Sequence, residues 1–128
     1  MRRVTDHEID GHECGLEVVV CDQPGSGGAN HHYQIVNVSR QNTAPDSADF
    51  VECEIEFQNG PIKEVGVNGV THEVLLAIVA DRLKAFQSGP FANSHNEIAL
   101  KHVELALSSL KTRTIDRINR GVEGQLKQ

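Results

Sequence analysis

Hydrophobic and polar positions alternate most regularly from Phe50 to Phe57. Val51, Cys53, Ile55 and Phe57 fall on one side, and Glu52, Glu54 and Glu56 on the other. A period of two with an acidic outer face predicts a half-buried antiparallel strand. Two more strands are predicted upstream. Leu16 to Cys21 is short and β-branched, and His31 to Val38 alternates around Tyr33, Ile35 and Asn37. The loop between them, Asp22 to Asn30, is rich in turn formers: Pro24 fixes φ, and Gly25, Gly27 and Gly28 permit positive φ. Residues 1–15 read as an irregular polar arm. Arg40 to Asp49 reads as a polar connection containing Pro45. After the turn Asn59-Gly60-Pro61, Lys63 to Val67 reads as a short strand ended by Asn68-Gly69.

The period then changes to that of a helix. Thr71 is a good cap for a helix running to about Gln87, in which Leu76, Val79, Leu83 and Phe86 step by three, four and three. Ser88-Gly89-Pro90 breaks it. A second helix is predicted from His95 to Arg120. Ser94 with Glu97 three residues later reads as a capping box, and Gly121 as the stop. Leu100, Val103, Leu107 and Leu110 form one stripe on this helix. Ile98, Leu105 and Ala106 lie off it, which calls for a second surface to cover them, such as a neighbouring subunit.

These elements predict an α+β fold: a small N-terminal antiparallel sheet followed by a C-terminal antiparallel two-helix hairpin. A length of 128 residues fits a single domain, with a β-rich part over 1–69 that includes the N-terminal arm, and the hairpin over 70–128. Only 38% of residues are apolar and Trp is absent, so the core is thin. Small chains with thin cores are commonly stabilised by association, so a homo-oligomer is expected. No apolar run reaches the roughly 20 residues of a membrane span, and no apolar segment follows Arg2-Arg3 to make a secretory signal. Cys14, Cys21 and Cys53 are an odd number without a framework spacing, which fits reduced thiols.

The net charge of −6 conceals an asymmetry. Residues 1–100 hold six basic and fifteen acidic groups, a net −9. Residues 101–128 hold six basic and three acidic groups, a net +3. An acidic body with a basic end suits a local anion site better than a surface coating nucleic acid. Arg113, Arg117 and Arg120 recur at i, i+4 and i+7, hence on one helix face. Guanidinium groups so placed can grip phosphate bidentately. The same residues also suit a solvated helix end paired with Asp116 and Glu123. Phe86 and Phe91 flank the break between the helices, either as core or as a stacking platform for a base. In a simple hairpin the second helix leads away from Phe86, so Phe86 and the arginines need not meet within one chain. An antiparallel pairing of hairpins would bring them together.

Other chemistry has little support. His31 and His32 are adjacent, and Cys14 and Cys21 are seven apart, so neither pair has a zinc spacing. The chain has no Gly-x-Ser-x-Gly, no Gly-Lys-Ser/Thr phosphate loop and no His-Glu-x-x-His. Neither a cofactor, a metal nor catalysis is expected. An alternative to a small-ligand site is a nucleic-acid or protein interaction module using the basic C-terminal helix.

Several segments resemble one family. They are Phe57 to Val79, Phe86-Gln87-Ser88-Gly89-Pro90-Phe91, Asn96-Glu97-x-Ala99-Leu100, Arg113-Thr114-x-x-Arg117 and Arg120-Gly121-Val122-Glu123-Gly124, with Asp22 to His31 upstream. Together they are similar to the type I Thoeris anti-defence proteins of phages and prophages and, through the hairpin alone, to the anti-CBASS sponges. The resemblance implies a non-enzymatic sponge in the host bacterial cytoplasm. Such a protein sequesters cyclic ADP-ribose-type signals, often glycocyclic ADP-ribose isomers, and some members also hold CBASS cyclic oligonucleotides. It implies a hexamer built from dimers. Carried over to this chain, Phe86 stacks on the adenine, Asn96 hydrogen-bonds the ligand, and Arg113 and Arg117 bind pyrophosphate and ribose hydroxyls. Lys63, Arg82 and Arg120 are candidates for secondary contacts. Ala92-Asn93-Ser94-His95 stands where many relatives carry Cys-Arg-Glu before the Asn, a departure that bears on ligand choice.

Overall fold

A computed structural model describes residues 1–12, 14–38 and 51–121. The architecture is α+β, with an antiparallel sheet followed by helices. The chain divides into two compact units, Met1–Asn59 and a second from Gly60 on.

The first unit is a four-stranded antiparallel meander of β1 (Arg2–Val4), β2 (Leu16–Val20), β3 (His32–Asn37) and β4 (Val51–Glu56), in that spatial order. The predicted strands at Leu16, His31 and Phe50 are present, although Phe50 itself and the connection from Arg40 to Asp49 lie outside the described residues. The N-terminal arm differs from expectation. Arg2–Val4 forms an edge strand, with Arg2 opposite Val20 and Val4 opposite Val18. Three residues with two charges carry no periodic signal, so this strand is made by pairing with β2 and not by local propensity. Its charged side chains also suit an edge.

Val18, Val20, Tyr33, Ile35 and Ile55 share one face through their register. Tyr33 meets Phe57 edge to face, with ring centroids 5.7 Å apart. Val20 is 1% exposed, and Val36, on the opposite face, is also buried. The alternation in β4 is only partly kept. The β3–β4 ladder pairs Ile35 with Cys53 but Val36 with Val51, so Glu52 is an extra residue. Cys53 is exposed, whereas Val51 and Ile55 are half-buried. All three cysteines are free thiols.

The second unit begins with a correction. Lys63 to Val67 does not form a strand. Ile62–Val65 is a single helical turn, α1, introduced by Pro61 and ended by Gly66. Five residues are too few for periodicity to decide. The backbone instead follows its punctuation: Pro61 fixes φ at the start, and Gly66 takes φ 77° at the end, where its N–H bonds to the carbonyl of Ile62.

The hairpin follows as α2 (His72–Gln87) and α3 (Ser94–Asn119), which pack along each other. Thr71 caps α2 as predicted, its hydroxyl accepting the Val74 N–H at 3.3 Å. The cap of α3 is Asn93, not Ser94. The Asn93 side chain accepts the Asn96 N–H at 2.9 Å, and its own N–H donates to Gln87 Oε1 at 3.1 Å. An Asn is as good a cap as a Ser, and here the turn holds it in extended geometry. Gly121 follows the last turn with φ 73°, as a stop should. Leu100, Val103, Leu107 and Leu110 are the half-buried stripe of α3. The seam of α2 is rotated from the expected one. Ala80 is its buried centre, with Leu76, Leu83 and Gln87 beside it, and Val79 is 44% exposed. A small residue at the centre lets the helix backbones approach closely, and Phe86 is left on the flank.

Candidate functional site

Every residue expected to touch a ligand lies in the second unit. Phe86 sits in the last turn of α2 and is half-buried. Asn96 sits in the first turn of α3, with its backbone N–H taken by Asn93. These two share the loop end of the hairpin. Arg113 and Arg117 are near the other end of α3. Seventeen residues separate Asn96 from Arg113, about 26 Å at a rise of 1.5 Å per residue. One chain therefore does not bring the aromatic platform and the arginines to one point.

The arginines are not equivalent. Arg113 is exposed and has no ion-pair partner among the described residues, whereas Arg117 is half-buried. Arg120 donates through Nε to Asp116 at 3.0 Å, the i,i+4 pairing the sequence allows. Its charge is thus partly answered within the helix. Glu123, the other acidic candidate, lies outside the described residues. Lys63 is exposed on α1. The two cations of α2 differ in the same way. Lys84 reaches Glu104 of α3 at 3.8 Å, but Arg82 faces no carboxylate among the described residues. Its guanidinium lies over the Phe86 ring, 5.0 Å from the centroid. This contact was missed in the sequence. Its only signal was the i,i+4 spacing of Arg82 and Phe86.

The hairpin also exposes apolar side chains in register. Ile98 and Leu105, seven residues apart on α3, are 55% and 64% exposed, and Val74 and Ile78 on α2 are similarly open. No helix among the described residues is long and apolar enough to cross a membrane.

A second polar cluster belongs to the first unit. The Asp22 carboxylate accepts the His31 N–H at 2.9 Å, and Asn30 Nδ2 donates to the Asp22 carbonyl at 2.7 Å. Partial desolvation pushes the Asp22 carboxyl up. The N–H groups of His31 and His32, the Asn30 amide and the His31 ring together outweigh it, so its pKa lies below the usual value. The His31 ring is buried against Gly25, where a Cβ would come within 3.1 Å of Nδ1. The cluster fixes the loop between β2 and β3. Among the described residues no group of three His, Cys, Asp or Glu side chains could hold a metal ion.

Residues 50–114 match the family described as "Acb2/Tad1, hairpin domain". The chain belongs to the Acb2/Tad1 hairpin-domain family. The matched span takes in β4, α2 and most of α3, so it covers Phe86, Asn96 and Arg113 and stops short of Arg117 and Arg120. The chain is also 41% identical over 93 residues to Thoeris anti-defense 1 of Bacillus phage SBSphiJ7. That likeness covers 73% of this chain and 65% of the phage protein, just under two thirds of its length.

Proposed function

We propose that this hairpin-family protein is a phage anti-defence sponge. It binds a cyclic ADP-ribose-type signalling nucleotide, such as a glycocyclic ADP-ribose isomer, and withholds it from Thoeris immunity in the host bacterial cytoplasm without reacting with it. The observation that carries this reading is the likeness to Thoeris anti-defense 1. Phe86 stacks on the adenine, Asn96 hydrogen-bonds the ligand, and Arg113 and Arg117 take the pyrophosphate. Because Asn96 and Arg113 lie about 26 Å apart along α3, one subunit supplies the aromatic end and another the arginine end. The assembly is a homo-oligomer, a hexamer built from dimers, that uses the exposed Ile98 and Leu105 face. CBASS cyclic oligonucleotides are the further ligand class of this proposal, with Lys63 and Arg120 as secondary contacts.

Isothermal titration with glycocyclic ADP-ribose isomers tests the reading. Saturable heat with a folded oligomer is expected, and no heat with any isomer would sink it. Heat-denaturing the complex should then release intact ligand, whereas recovery of a cleaved product would make the protein an enzyme. Arg113→Ala should cost about 1.5–3 kcal/mol of binding, the usual worth of a hydrogen bond to a charged group. That is roughly a 10- to 150-fold loss of affinity. An unchanged affinity would reduce Arg113 to a surface charge.

A further inference from the structure

Phe86 has two faces, and one of them is taken. The guanidinium of Arg82 lies 5.0 Å from the ring centroid, one helical turn back on α2. Arg82 is otherwise unanswered: among the described residues it has no acidic partner, although Lys84, two positions on, has Glu104. A long cationic side chain at an exposed position pays rotamer entropy for any fixed contact. Over an aromatic ring it gains cation–π attraction and covers apolar surface with its planar group. The rotated seam of α2 reinforces the arrangement. With Ala80 at the centre of the helix pair, Phe86 lies on the flank together with Arg82 and the 61% exposed Ile78, four and eight residues before it.

We propose that Arg82 is the positioning and charge-selecting residue of the stacking platform. It closes one face of Phe86, so that a ligand base can take only the opposite face, and it holds an uncompensated positive charge behind the ring. The site therefore favours a purine that carries phosphate over an uncharged purine nucleoside. This rests on the reading of Phe86 as a base-stacking residue. The guanidinium stays on its own face when the ligand binds, so ring and cation form a stack of three layers with the base.

The test uses full-length Arg82→Met, which keeps the length and packing of the side chain without its charge, and Arg82→Lys, which keeps the charge. Matching melting temperatures show that both fold as the parent does. Arg82→Met should lose about 3- to 30-fold in affinity for a cyclic ADP-ribose isomer, because the charge it removes attracts the ligand phosphate, whereas the contact with the ring is present before and after binding. Its binding should also depend less steeply on salt. Adenosine binding should change by less, and Arg82→Lys should recover most of the loss. In NMR spectra the Arg82 Cδ protons should be shifted upfield by the Phe86 ring current, and remain so in the complex. Arg82→Met with wild-type affinity and salt dependence would overturn the proposal. So would disappearance of the ring-current shift on binding, which would mean that the ligand displaces the guanidinium. Wild-type protein that binds no cyclic ADP-ribose isomer would instead overturn the sponge reading, and this proposal with it.

Discussion

In the sheet unit, Arg3 lies between Glu8 and Glu17 at 2.9 and 3.3 Å, Glu54 accepts from Gln34 and His32, and Asp22 accepts the His31 N–H. In the hairpin, Arg82 and Arg113 have no acidic partner among the described residues, and Ile78 and Leu105 are more than half exposed. Both units are small, with few fully buried side chains. The sheet pairs most of its polar groups internally, through cross-strand contacts and a fixed loop, with the buried His31 Nδ1 left over among the described residues. The hairpin pairs Lys84, Lys101 and Arg120 with carboxylates but leaves Arg82, Arg113 and part of its apolar surface unanswered among the described residues. Exposed apolar patches of that kind mark interaction surfaces, and unpaired guanidinium groups suit anions. The sheet unit thus reads as complete, and the hairpin as the working surface.

The largest effect should come from breaking what the hairpin lacks on its own. Ile98→Asp with Leu105→Asp puts two charges on the exposed stripe of α3. Light scattering should then report a single-chain mass in place of an oligomer. Affinity for a cyclic ADP-ribose isomer should fall on the order of 100-fold or more, because the aromatic and arginine ends can no longer meet. A variant that stays oligomeric and binds normally would show that this stripe is not the interface.

The sheet should respond to a different kind of change. Val20 is its most buried side chain, and Val20→Ala removes apolar contact where little can move to fill the space. A loss of about 2–3 kcal/mol in urea denaturation is expected. A loss below about 1 kcal/mol would mean that strand pairing, and not burial, holds this unit together.

This contrast also explains what could be read from the chain. Long periodic segments were legible: α2 and α3 end within a residue or so of expectation, because sixteen and twenty-six residues of helical pattern outweigh local ambiguity. Short segments were not. Arg2–Val4 is a strand only because β2 is beside it, and Ile62–Val65 is a helical turn set by Pro61 and Gly66. The seam of α2 was misread by one position. Val79 is the larger apolar residue, but the small Ala80 is the one that is buried. The proposed site is a set of residue types in the sequence, Phe86, Asn96, Arg113 and Arg117, and one chain does not bring them to one place. Spacing along a helix cannot say which end of a second chain comes near, and the Arg82–Phe86 contact needed side-chain geometry.

A smaller effect separates two adjacent residues at the hairpin tip. Asn93 accepts the Asn96 N–H, so Asn93→Ala should cost about 1 kcal/mol in thermal or chemical denaturation. Ser94→Ala, one position inside the helix, should change stability by less than about 0.5 kcal/mol. The reverse order would return the cap to Ser94. Because Asn96 is a proposed ligand contact in the same turn, Asn93→Ala should also weaken binding more than Ser94→Ala does.

The smallest effect tests the internal pairing of the sheet. Glu54 has a lowered pKa because the Gln34 amide and the His32 ring hydrogen-bond its carboxylate, an effect larger than the opposing desolvation. A carboxyl depressed in the folded state contributes stability above its unfolded pKa, and that contribution is lost as pH falls through the folded value. The usual value for Glu54 is 4.5 and for Asp22, also lowered, 3.8. The denaturation midpoint should therefore hold above about pH 5 and decline toward about pH 3. In Glu54→Gln the decline should be shallower, because one of the titrating carboxylates is gone, while Asp22 continues to contribute. Both groups are solvent-accessible, so screening keeps each contribution modest, and added salt should shrink the Coulombic share from His32 before the hydrogen-bonded share from Gln34. An identical pH profile for wild type and Glu54→Gln would mean that the Glu54 contacts form without stabilising the sheet. The sheet's apparent completeness would then rest on burial and on the Asp22 loop alone.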